Sequence, residues 1–141
     1  MAAPKPTRAF YVKAVQRYFD TMDAGDVAGC VACFAPTGTL TCVSSPMHLK
    51  GPKQLGAFFA RLHGNTKRMI HKPTLWVVDV EKGTVAVELR YRNKRKVGAP
   101  FDMENCNFFV FDAKGRFKRV RFWTGSAIDQ KAAIADARQA R

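Results

Sequence analysis

The stretches MIHKPTLWVVDV (residues 69–80), TVAVELRYRNKR (84–95), PFDMENCNFFVFD (100–112) and RFKRVRFWT (116–124) decide the fold. Apolar and polar residues alternate along each, the period of a strand with one buried face. Glu81-Lys82-Gly83 and Ala113-Lys114-Gly115 are turn sequences supplied with glycine, and Lys94 to Pro100 is a looser link between the middle pair. The stretches therefore form an antiparallel meander. Alternation places Met69, His71, Leu75 and Val77 on one side of the first strand, provided Pro73 does not bulge it.

Upstream the period is helical. In residues 8–23, Tyr11, Val15, Tyr18, Phe19 and Met22 recur at steps of three and four and fall on one stripe. Gly25 is suited to a left-handed stop and Asp26 to capping the next start. A short second helix carries Val27, Cys30, Val31 and Phe34 on one face and ends at Pro36 and Gly38. Thr39 to Val43 is a strand that turns at Ser44-Ser45-Pro46. Gly51-Pro52 opens a third helix with the stripe Leu55, Phe58, Phe59 and Leu62. Ser126 and Asp129 form a capping pair before an alanine-rich C-terminal helix. Helices followed by strands give an α+β fold with helices on one face of the sheet. A curved sheet closed that way leaves a cone with an apolar interior, a natural small-molecule pocket.

Composition agrees with one globular domain: 141 residues, 47% hydrophobic and 25% charged. No apolar run approaches the roughly 18 residues of a membrane span. The N-terminus lacks the apolar core of a signal peptide, so the expected location is cytoplasmic. In that reducing setting Cys30, Cys33, Cys42 and Cys106 are expected to be thiols. Lys and Arg number 24 against 11 acidic residues, a net charge of +13. Such a surface draws phosphates, acidic lipids and anionic substrates.

Ala14-Val15-Gln16-Arg17-Tyr18, Asp23-Ala24-Gly25-Asp26, Val31-Ala32-Cys33-Phe34-Ala35, Lys50-Gly51-Pro52 and the closing hairpin from Phe111 to Gly125 carry a resemblance. Together they resemble the ketosteroid isomerases, within the nuclear transport factor 2-like superfamily that also holds SnoaL-like polyketide cyclases and scytalone-type dehydratases. The resemblance implies a cone-shaped barrel: a curved, mostly antiparallel sheet wrapped around three N-terminal helices, here followed by a short C-terminal helix. It implies a domain over residues 8–125, leaving residues 1–7 as a disordered tail and 126–141 as a helical extension. It also implies a homodimer.

The resemblance names candidate residues. Tyr18 matches the isomerase tyrosine that donates to the substrate carbonyl oxygen. The isomerase base, an aspartate on the first strand, falls on Cys42. A neutral thiol among apolar groups is a poor base, so Cys42 reads as pocket wall. The second oxyanion donor falls on Asn107 when counted from the Lys114-Gly115 turn, or on Asp102 when matched through Ala99-Pro100-Phe101-Asp102. The turn fixes register better, which favours Asn107. Dehydratases and cyclases of this superfamily pair a cavity histidine with a tyrosine and an aspartate from the first helix and its end. His71, Tyr18 and Asp23 match that pattern.

Cys30-Val31-Ala32-Cys33 has a CxxC spacing but sits inside a helix with no second ligand pair, which makes it core rather than a redox or zinc site. His48 and His63 receive no role. The basic stretches 90–96 and 114–121 interleave aromatics, as single-strand binders do, yet both lie at hairpins where a solvated face is the simpler reading.

Three readings follow. The first is a cofactor-free and metal-free enzyme for isomerisation, dehydration or cyclisation of a hydrophobic carbonyl compound, which can be anionic. Tyr18, Asp23, His71 and Asn107 would carry its chemistry, and Phe34, Cys42, Phe58, Phe59, Val87 and Val120 would line its pocket. The second is a non-catalytic ligand-binding or dimerisation module of the same fold. The third is a nucleic-acid binder acting through the basic hairpins.

Overall fold

The computed structural model describes residues 4–125. The chain runs α1 (Arg8–Ala24), α2 (Val27–Ala32), β1 (Phe34–Cys42), β2 (Met47–Lys50), α3 (Gly51–Gly64), β3 (Thr66–Asp79), β4 (Thr84–Arg95), β5 (Phe101–Phe111) and β6 (Phe117–Thr124). The strands make one curved, unclosed six-stranded sheet in the order β2-β1-β6-β5-β4-β3. Every pairing is antiparallel except β1 with β6. The C-terminal helix expected after Ser126 and Asp129 lies outside the described residues. No described helix is long and apolar enough to cross a membrane.

Thr7 caps α1 by accepting from the Phe10 amide. The stripe Tyr11, Val15, Tyr18, Phe19 and Met22 is buried along it, and α1 packs against β3. The helix stops at Gly25, whose φ of 71° lies in the left-handed region that a side chain disfavours. Asp26 then caps α2 by accepting from the Gly29 amide.

Three local expectations are corrected. First, α2 ends at Ala32, and Phe34 already belongs to β1, pairing with Phe117 of β6. Pro36 and Gly38 lie within β1 rather than ending a helix. The register with β6 shifts between Phe34 and Thr39, and β2 pairs only with Thr39 to Cys42, so the proline breaks no ladder on that side. Second, Met47–Lys50 forms the edge strand β2, which has no counterpart in the sequence reading. Third, Pro73 does bulge β3. Pro73 faces Leu89 while Leu75 faces Glu88, which leaves Thr74 as the extra residue. The faces therefore exchange past the bulge: Leu75 and Val77 are exposed, and Trp76 and Val78 pack on the core.

The core is unusually aromatic. Phe19, Phe59, Phe109 and Phe117 are fully buried, and Tyr18 touches all four at ring-centroid distances of 5.3–6.3 Å. Four cysteines are free thiols. Burial pushes the Cys30 thiol up to about 11, which suits inert core packing rather than redox chemistry.

Candidate active site

Sheet register assembles the site row by row. His71 of β3 stands opposite Tyr91 of β4, which stands opposite Met103 of β5. A parallel row runs from Leu89 through Asn105 to Thr124. A third runs from Met47 through Cys42, Phe122 and Asn107 to Val87. Helices α1 and α3 close over these rows. Between them lies a cavity of about 360 Å³ whose walls include Tyr18, Cys42, Phe58, His71, Tyr91 and Asn107.

His71 is the most tightly held polar group at this cavity. Its Nδ1 lies 2.6 Å from Asp23 Oδ1, and its backbone N–H donates to both carboxylate oxygens at 3.1 and 3.0 Å. The ring stacks on Phe19, with centroids 5.0 Å apart and planes 9° apart, and leans on Tyr91 at 4.8 Å. Asp23 is thus anchored by two groups of one residue that is distant in sequence. A carboxylate on Nδ1 selects the tautomer with its proton there, and Nε2 is left with a lone pair.

Tyr18 reaches the cavity from α1. Its ring is clamped by Phe34, Phe59, Phe109 and Phe117, and its hydroxyl has no hydrogen-bond partner among the described residues. Burial pushes the phenol well above its ordinary value, with Cys30, Cys33 and Tyr91 adding to the effect. Tyr18 therefore stays protonated and presents an unspent donor.

Asn107 is 7% exposed, and its Oδ1 has no partner among the described residues. Asp102 is elsewhere: exposed on the outer sheet surface, it takes Arg90 at 2.9 Å and Arg92 at 3.4 Å, which hold its carboxyl below the usual range. Of the expected pocket residues, Cys42 and Phe58 line the cavity. Phe34, Phe59, Val87 and Val120 do not; they are buried in the packed core, where Phe34 and Phe59 brace the Tyr18 ring.

Sequence reasoning missed Tyr91 and Asn105. Both signals were present. Asn105 is two residues before Asn107 on the same strand and shares its face. Tyr91 lies cross-strand from His71. Its hydroxyl accepts from Asn93 Nδ2 at 2.9 Å, which leaves its own proton free to donate. Among the described residues, no group of three or more His, Cys, Asp or Glu side chains is arranged to hold a metal.

A model of the SnoaL-like domain matches residues 15–120. The chain belongs to the SnoaL-like domain family. No curated protein matches it. Solved structures similar to this SnoaL-like chain include PrhC from Penicillium brasilianum, at 14% identity and a TM-score of 0.77 over 96% of this chain and 93% of that one. BvnE pinacolase from Penicillium brevicompactum is similar at 17% identity and 0.75, over 99% of this chain and 98% of that one. A protein of ketosteroid isomerase-like fold from Catenulispora acidiphila, solved in complex with trimethylamine, is similar at 14% identity and 0.70, over 78% of this chain and 83% of that one. These likenesses show the fold, the cone-shaped α+β architecture that the helix and hairpin motifs imply.

Proposed function

We propose that this SnoaL-like protein is a cofactor-free acid–base enzyme acting on a hydrophobic carbonyl compound. One observation carries the reading: an imidazole oriented by a half-buried carboxylate opens onto the same cavity as an unspent, protonated phenol. His71 Nε2 takes a proton from the carbon next to the carbonyl. The electron pair moves onto the carbonyl oxygen, and Tyr18 donates to the enolate that forms there. The imidazolium, stabilised by Asp23, returns the proton. Delivered to a distant carbon it completes an isomerisation; delivered to a departing hydroxyl it completes a dehydration. Attack by the enolate carbon on a second carbonyl of the same molecule closes a ring; that carbonyl's π pair moves to its oxygen, which takes the proton from the imidazolium. Tyr91 and the Asn105–Asn107 pair offer further polar contacts to the oxygen atoms of such a substrate.

The resemblance puts Cys42 where the isomerases carry their base. In this reading the carboxylate is instead Asp23 at the end of α1, acting through His71.

The test is deuterium incorporation into 2-tetralone in heavy water, followed by NMR. The protein is expected to accelerate exchange next to the carbonyl above buffer. Tyr18→Phe is expected to slow it about a hundredfold by removing the oxyanion donor. Binding of 2-tetralone with no exchange above buffer would overturn the enzyme reading and favour a ligand carrier of the same fold.

A further inference from the structure

A second cavity of about 260 Å³ adjoins the first. The two share Phe58, Leu62 and Phe101 as a common wall. Its other walls bring Arg61 from α3 and Arg95 from the end of β4 to one place. Among the described residues neither guanidinium is in an ion pair, whereas Arg90, Arg92 and Arg116 are each taken up by an aspartate. Among the described residues no acidic side chain lines this cavity.

Arg95 is held in place rather than left loose in solvent. Its guanidinium lies 4.7 Å over the Phe101 ring. The loop after β4 comes so close to it that a Cβ at Gly98 would sit 2.8 Å from Arg95 Nη1. Gly98, at φ 93°, is the residue that permits that approach. Asn65 ties the same loop to the end of α3. Its carbonyl accepts from the Lys96 amide at 2.8 Å, its Oδ1 accepts from the Val97 amide at 2.9 Å, and its Nδ2 donates to the Val97 carbonyl at 3.2 Å. That tie sets Arg95 beside the helix that carries Arg61. On the same wall Asn93, 1% exposed, has a buried Oδ1 without a donor among the described residues. Its Nδ2 meanwhile donates to Tyr91 in the main cavity and to Thr66.

We propose that this second cavity is an anion subsite, in which Arg61 and Arg95 hold the carboxylate of an amphipathic substrate whose apolar, carbonyl-bearing body fills the main cavity. The inference names the substrate class of the site described above and rests on that reading. A guanidinium presents paired N–H donors that match a carboxylate. A water donating one hydrogen to the carboxylate and the other to Asn93 Oδ1 satisfies the remaining buried acceptor. The two cavities meet at Phe58, Leu62 and Phe101, and in this proposal one molecule passes over these side chains to reach both. The net charge of +13 draws such a ligand toward the protein, and this cavity gives its charged end a fixed seat.

Calorimetric titration with octanoate and with 1-octanol tests the subsite. The wild-type protein is expected to bind octanoate about tenfold or more tighter than octanol. The Arg61→Gln/Arg95→Gln double variant is expected to lose that preference and keep its octanol affinity. Arg95→Lys should keep part of the preference, and Arg119→Gln, on the outer sheet surface, should keep all of it. The proposal is overturned if the wild type shows no preference or binds neither ligand. It is equally overturned if the double variant keeps the preference, or if Arg119→Gln loses it as fully. The readout is binding without turnover, and the preference should persist in His71→Asn. Failure of the subsite and failure of the acid–base chemistry are therefore separate results.

Discussion

His71→Asn is expected to slow exchange at the carbon next to the carbonyl about a thousandfold, the scale of losing a positioned general base. The substitution is chosen for its geometry. An asparagine amide sets an N–H near the place of Nδ1, so the 2.6 Å contact with Asp23 has a replacement donor, while Nε2 disappears. The backbone bonds from residue 71 to the carboxylate are independent of the side chain and remain available. Asp23→Asn should cost less, about tenfold to a hundredfold, because the base survives without the group that fixes its tautomer and stabilises its cation. The double variant separates positioning from mere structure. Once Nε2 is gone there is nothing left for Asp23 to orient, so His71→Asn/Asp23→Asn should be no slower than His71→Asn alone. Multiplication of the two single losses would contradict a shared role.

Phe117→Ala should destabilise the protein by about 3–5 kcal/mol, the usual cost of emptying a fully buried phenylalanine site. The value belongs at the upper end here. The ring is 1% exposed and makes edge contacts with Tyr18, Phe34 and Phe111 and a tilted one with Phe109, at 5.0–5.4 Å between centroids. Such pairs add to the simple burial term. Small domains have only about 5–15 kcal/mol in total, so much of the stability would be lost. Urea unfolding measures it through the midpoint at unchanged slope. A loss below about 1 kcal/mol would show that the cluster is not the keystone of this core. Because Phe117 also braces Tyr18, the surviving folded protein should show weakened oxyanion donation.

The main elements were legible because each carries its own period. The α1 stripe, the Gly25 stop, the Pro52 start and the turns at Gly83 and Gly115 all sit where local rules place them. Misplacement occurred where pairing overrides local signals. Phe34 completes a helical face in sequence, but its pairing with Phe117 across the sheet, where the Phe117 amide donates to the Cys33 carbonyl at 2.8 Å, makes it the first residue of β1. The four residues of β2 are too few to show a period. The Pro73 bulge exchanges the faces of Leu75 and Trp76, and nothing before the bulge announces which way the strand resumes.

The site was half legible for a related reason. Alternation says which face a residue occupies but not which residues of that face meet. His71 and Asp23 are 48 positions apart, and their contact needs both the α1 stop and the β3 register. Tyr91 and Asn105 reach the cavity beside His71 only through cross-strand pairing. Phe34, Phe59, Val87 and Val120 were correctly apolar and buried, yet they fill the core rather than line the cavity. In a curved sheet, the same face supplies packing in one row and pocket wall in the next.

The central claim is that Asp23 fixes the His71 tautomer so that a basic nitrogen faces the cavity. Nitrogen-15 NMR of the imidazole at neutral pH reads this directly. The account predicts a proton on Nδ1 and a lone pair on Nε2, with the Nδ1 proton shifted downfield by its carboxylate partner and that shift lost in Asp23→Asn. A neutral ring protonated on Nε2, unchanged by Asp23→Asn, would contradict it.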